Sequence, residues 1–276
     1  MILKILKFEF NNLRGSKKTI AILIFLSVCI VVTHIMFFLI SNYSTNIDNL
    51  IESSKYWYNQ FESINNEFIT NTVYYIGIMK IIPFVFILIS SAFPIILGIN
   101  SIIEEKEQNT IETLFFLPYS HNKILFSKLL SFYTITIILT IINTGIQLAL
   151  IFTFQTSYEV MIFWTFLGLI FLPIWLLFIS SIILILSSIY ETSKDVNQSS
   201  LFVAFMLYML FMLSYFTGID ILSMKILLII AVLSLAGTLI IWFIYFKRNK
   251  FIENIIYNVN KKNLHKNNAE SINNID

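Results

Sequence analysis

Six long apolar blocks, at about residues 20–40, 79–101, 129–154, 160–189, 199–217 and 226–246, constrain this chain more than anything else in it. Each reaches the ~20 residues that carry a helix across ~30 Å of hydrocarbon. Lipid offers the backbone no hydrogen-bond partners, so only helices and closed barrels cross it. A barrel needs alternating strands of ~10 residues, and these continuous Ile, Leu and Phe blocks do not alternate. The sequence therefore specifies an all-α polytopic membrane protein with six transmembrane helices. Composition excludes a soluble enzyme: 12% of the residues are charged and 57% hydrophobic, where soluble domains carry roughly 25% charged residues. The third and fourth blocks exceed the minimum length and are expected to tilt or to extend beyond the bilayer.

Charge sets the orientation. With both termini cytoplasmic, fifteen Lys and Arg fall on the cytoplasmic side, and the other side holds only Lys55, Lys80 and Lys225. That is the positive-inside bias of a multi-pass membrane protein. The same assignment leaves +5 inside and −3 outside, so the net charge of +2 reports topology. It does not indicate nucleic-acid binding, because no basic patch with interleaved aromatics lies away from the membrane flanks. The first block is too long for the core of a secretory signal and no small-x-small cleavage site follows it, so it is expected to remain as a span. The single cysteine, Cys29, lies inside that span as a packing thiol, which leaves no disulfide framework and no thiolate metal cluster.

Residues 1–250 form one membrane domain, with the Asn- and Lys-rich 251–276 as a cytoplasmic tail, partly disordered. Ahead of the first span, Leu3, Leu6, Phe10 and Leu13 share one helical stripe and Lys4, Lys7, Asn11 and Arg14 the opposite one. This pattern predicts an N-terminal interfacial helix. Residues 41–78 make an external segment with four acidic residues and several aromatics.

The connection between the second and third spans is too elaborate for a turn. Glu104, Glu105, Lys106 and Glu107 carry the second span into water, and Asn109-Thr110-Ile111-Glu112 then has the form of a capping box, with Asn109 as N-cap and Glu112 three residues on. The short helix so started carries Ile111, Leu114, Phe115, Phe116 and Leu117 and is stopped by Pro118. An exposed apolar group on a capped helix marks a docking surface or a membrane-lying face.

With these residues in place, the whole chain resembles the permease subunits of type-2 ATP-binding-cassette (ABC) exporters. Those permeases have an interfacial N-terminal helix, six spans, cytoplasmic ends and, between spans two and three, an acidic-Gly-Thr-aliphatic-Glu stretch, a Leu-rich turn, a proline and a Gly-Lys pair. Here Glu105-Lys106-Glu107, Thr110-Ile111-Glu112 with Leu114, Pro118 and Lys128 match, and Glu9 takes the place of the acidic residue in the interfacial helix. Asn109 and Ser127 depart from the family's glycines, the first mildly, since asparagine also suits a cap. The resemblance implies a cytoplasmic coupling helix at 104–120 resting on a separate ABC ATPase subunit, with Glu105, Glu107, Thr110, Glu112, Leu114 and Phe115 as coupling residues. It also implies a dimer with a second copy or a similar permease, in the plasma membrane of a prokaryotic cell. Catalysis is not this chain's task on that reading: ATP and Mg are expected on the partner ATPase, and no GxxxxGK[ST] phosphate loop occurs here.

Two other classes compete. A permease-like mechanical or immunity component would move no substrate. An intramembrane hydrolase would use Glu104 and Glu105, but His34, His121 and His265 supply no paired ligand for a metal. His34, inside the first span, is expected to face the bundle in a packing or hydrogen-bonding role. On the third span Asn143 and Gln147 lie four apart, with Thr136 and Thr140 on the same stripe; hydrogen bonding between helices and lining a pathway both fit. Pro83, Pro94 and Pro173 lie within spans, where a kink and simple tolerance of the ring both fit, and Ser180-Ser181 and Ser187-Ser188 are expected to permit close helix packing. The orientation is directly testable: alkaline phosphatase fused after residue 60 should be active, and fused after residue 250 inactive, because the enzyme folds only outside the cytoplasm. The reverse pattern would invert the topology.

Overall fold

The computed structural model describes residues 17–43, 77–107, 121–153, 158–190 and 222–246, together with Asp195, Gln198 and Met209. Among the described residues all regular structure is helical, and five stretches are long and apolar enough to cross a membrane. We number the α-helices α1 (Lys17–Tyr43), α2 (Ile82–Glu107), α3 (His121–Thr153), α4 (Tyr158–Phe166), α5 (Leu172–Ile189) and α6 (Met224–Ile241). Three π-helical segments complete them: Gly77–Ile81 leads into α2, Leu167–Phe171 joins α4 to α5 as one rod, and Trp242–Phe246 extends α6. These correspond to the first four and the sixth apolar blocks. The fifth, 199–217, lies outside the described residues but for Met209, and so do the interfacial helix, the 109–117 helix, the tail and nearly all of 41–78.

Helix ends differ from the apolar boundaries for a physical reason. α3 starts at His121, eight residues before the block at 129, and α2 runs on to Glu107. Lys and Glu are good helix formers, so a charge marks where lipid ends and not where the helix ends.

Two of the π-segments explain how the spans carry their prolines. Pro83 and Pro173 are each the second residue of the α-helix that follows a π-segment. A proline ring clashes with the carbonyl four residues earlier. Those carbonyls belong to Met79 and Leu169, inside the widened π-turns. Backbone oxygens at both places receive side-chain donors from other helices: Trp164 Nε1–H donates to Ile78 O (3.2 Å), and Tyr133 O–H donates to Pro173 O (3.1 Å). Pro94, by contrast, lies within α2, which continues through it.

α5 is the hub of the bundle, packing against α2, α3 and α6, while α1 lies against α2 and α3. One apolar cluster, near the 154–157 connection, gathers Phe86, Phe163, Trp164, Phe171 and Trp175. Its rings are layered, with Phe86 tilted on Trp164 at 5.5 Å and Phe171 stacked on Trp175 at 6.0 Å. A second, at the opposite end, joins Leu23, Phe93, Leu97, Leu129, Phe132 and Leu184. Trp175 Nε1–H donates to Ser91 Oγ (3.0 Å), which donates to Ile87 O (2.7 Å), so a buried indole is satisfied by a serine that is itself satisfied. Ser180, Ser181 and Ser187 are buried on α5, as close packing requires.

Glycine sets how near the helices come. A methyl group on Gly168 would stand 2.2 Å from Thr144 Cγ2, one on Gly98 2.7 Å from Ile183 Cγ2, and one on Gly237 2.7 Å from Phe178 Cε2. Gly168 is the tightest, and its obstacle is a β-branched side chain with little rotamer freedom in a helix. Gly168→Ala should therefore cost about 1–3 kcal/mol through overpacking, lowering the thermal midpoint in detergent. Adding Thr144→Ala should restore part of the loss; no recovery would mean that the contact is not what limits the approach of α3 to the α4–α5 rod.

Candidate functional site

The largest buried polar feature among the described residues runs along α3. Thr136, Thr140, Asn143, Thr144 and Gln147 recur at helical spacing, and each is 1% exposed or less. The threonines satisfy themselves: Thr136 Oγ1 donates to Phe132 O (2.8 Å), Thr140 Oγ1 to Thr136 O (2.9 Å) and Thr144 Oγ1 to Thr140 O (2.8 Å). Such bonds back to the helix's own preceding turn need no second helix.

Asn143 and Gln147 instead reach α1. The Gln147 amide grips one turn of it: His34 Nδ1–H donates to Oε1 (2.5 Å), and Nε2–H donates to Ile30 O (3.4 Å). This pairing assigns the tautomer of His34 with the proton on Nδ1. One turn away on α3, Asn143 Nδ2–H donates to Ser27 Oγ (3.1 Å), while Asn143 Oδ1 is buried without a hydrogen-bond partner. Ser27, Ile30 and His34 lie three and four apart, so a single stripe of α1 meets a single stripe of α3. His34 faces the bundle, fully buried, as expected of an ionisable residue in a span. Cys29 is half-buried and not in a disulfide.

Of the residues matched to the coupling stretch, Glu105 and Glu107 stand in the last turn of α2, and Thr110, Glu112, Leu114 and Phe115 lie outside the described residues. Lys128, the match to the lysine entering the third span, is 3% exposed on α3 next to the fully buried Ser127. The insert thus hangs between two helices that pack against each other, α2 and α3. Among the described residues no three His, Cys, Asp or Glu side chains gather as they would to hold a metal ion.

A family model described as "ABC-2 family transporter protein" matches residues 3–250. The chain belongs to the ABC-2 transporter family. Neither a curated protein nor a solved structure matches it. The match takes in all six apolar blocks and the charged insert between the second and third. Membership makes this ABC-2 protein a multi-pass membrane protein of the permease type, a transport subunit and not the ATPase itself.

Sequence reasoning placed Asn143 and Gln147 on one face of the third span and turned His34 inward, but it had no means of pairing them. It missed the indole donors Trp164 and Trp175 and the notch that Gly168 makes for Thr144. A glycine five residues ahead of Pro173 was the available signal for that notch. The α1–α3 pairing is open to measurement by a double-mutant cycle. His34→Ala and Gln147→Ala in this ABC-2 protein should show a coupling energy of about 0.6–1.7 kcal/mol, the range of hydrogen bonds between membrane helices. Additive effects would remove the pair as a structural contact.

Proposed function

We propose that this chain is the membrane permease subunit of an ATP-driven exporter, pairing with a second copy or a similar permease and docking on separate ABC ATPase subunits that bind ATP and Mg. The observation that carries the reading is the extent of the family match, residues 3–250, which includes the insert as well as the spans. In a permease without a phosphate loop of its own, that insert is the place where another protein's work enters. The complex would reside in the plasma membrane of a prokaryotic cell, with both termini cytoplasmic, in keeping with the fifteen cationic residues on that side.

On this reading, closure of the ATPase pair pushes on 104–120, and α2 and α3 carry the displacement into the membrane as rigid elements. Glu105, Glu107, Thr110 and Glu112 supply the polar contacts and caps of the docking surface, and Leu114 and Phe115 its apolar anchor. Aromatic and aliphatic anchors of this kind dominate docking energies.

The test is affinity purification from solubilised native membranes. The unaltered chain should recover an ABC ATPase, and Leu114→Ala/Phe115→Ala should lose it while the variant still inserts at a normal level. Recovery of the ATPase with the double variant would reject the coupling site, and its absence with both chains would reject the permease reading.

A further inference from the structure

The polar face of α3 is larger than its pairing with α1 requires. Gln147 commits both ends of its amide to α1, and Asn143 its nitrogen. The hydroxyls of Thr136 and Thr140 donate within α3 and tie nothing to α1, although each oxygen keeps acceptor capacity. Asn143 Oδ1, on a residue 1% exposed, accepts nothing. An acceptor buried in this way carries a desolvation cost that an incoming N–H or O–H would remove.

The helix that Asn143 and Gln147 hold, α1, keeps much of its surface exposed. Of the first span, Thr19–Met36, 22% is buried, the same share as of Met224–Ile244, against 56% of the second, Ile78–Gly98; of these two outer helices α1 is the one bonded to Asn143, whose buried Oδ1 is without a partner. Large apolar side chains of α1 are exposed from Ile22 to Leu39, and Ile138, Ile142 and Ile146 are exposed on α3. A ligand entering between the two helices from hydrocarbon would pass these side chains. From 19 to 39 on α1 and from 129 to 153 on α3 there is no Asp, Glu, Lys or Arg, so recognition in the seam rests on hydrogen bonds and not on ion pairs.

We propose that α1 parts from α3 during the transport cycle, and that the seam then takes the hydrogen-bonding headgroup of a membrane amphiphile of no net charge, its apolar tail remaining in lipid. This rests on the permease reading and names its substrate class. Asn143 Oδ1 is the first acceptor a donor-bearing headgroup meets. Ser27 and Gln147, released from their partners across the seam, supply the rest.

Two measurements on the complex with its ATPase, in phosphatidylcholine vesicles, test it. In a Cys29→Ser background, the thiol of Thr140→Cys should react with a water-soluble methanethiosulfonate about ten-fold faster with ATP than without, as a minor open state becomes populated, because a seam that admits a headgroup admits its hydration water. Equal rates would identify the seam as static glue and overturn the proposal. With trace acyl-labelled fluorescent phosphatidylethanolamine as probe, the unaltered complex should move the label between leaflets on adding ATP, read by dithionite quenching. Asn143→Leu, of similar volume, should abolish that movement while ATP hydrolysis continues. Unchanged movement by the variant, or none by the unaltered complex while it hydrolyses ATP, would overturn the headgroup site. Failure of the unaltered chain to retain any ATPase is a separate result, and it would remove the permease reading on which the proposal stands.

Discussion

Backbone hydrogen bonding in hydrocarbon is the constraint on which this structure depends. An unpaired amide or carbonyl there costs several kcal/mol, so each span must be a helix, and each departure from α-geometry has to be compensated. The π-segments at Gly77–Ile81 and Leu167–Phe171 are such departures. They place the carbonyls of Met79 and Leu169 in a widened turn, ahead of the rings of Pro83 and Pro173. The two side-chain donors found at these sites, Trp164 and Tyr133, come from helices that pack beside them. Beside each proline an aromatic donor from a neighbouring helix thus bonds a backbone oxygen, Ile78 O in one case and Pro173 O in the other.

Packing follows different rules here from those in water. Lipid tails are as apolar as leucine, so burying a leucine against another helix gives it little that lipid would not. Shape and polar pairing decide which helices meet. Gly98, Gly168 and Gly237 let Ile183, Thr144 and Phe178 come closer than any side chain would permit. Gln147, by holding both His34 and Ile30 O, sets the rotation of α1, whose apolar residues point to almost every side and so favour none.

The same physics governs how much was legible in the sequence. Hydropathy located the first four and the sixth spans to within a few residues at most ends, because a span is a property of its own residues. The apolar block begins at about 129 while the helix begins at His121, because Lys123 and Lys128 interrupt the apolar run without interrupting the helix. Periodicity put Asn143 and Gln147 on one face for the same local reason. Their partners on α1 lie more than a hundred residues away, and a single sequence holds no record of such a pairing. The capping box at Asn109 to Glu112 and the block at 199–217 remain readings of the sequence, since they lie outside the described residues.

The arrangement of helices also bears on where a permease of this kind would yield. α2 is continuous from Ile82 to Glu107, about 39 Å at 1.5 Å per residue, so the first residues of the insert, 104–107, continue it without a break. α2, α3 and α5 pack on one another through both apolar clusters. α6 adds itself to α5, and Trp242 pins it there with a bond to Ser181 (3.4 Å) and an edge-on contact to Phe126 of α3. α1 joins both clusters, through Ile30 and Leu23, and its polar bonds to α3 come from Gln147 and Asn143, where one of the four polar atoms on the two amides is unmatched. Partly satisfied networks are the weakest points of a buried interface, and elements with few buried contacts open first. Were a push delivered through α2 and α3, as the proposed coupling requires, the unmatched amide between α3 and α1 is where a displacement would find the least resistance.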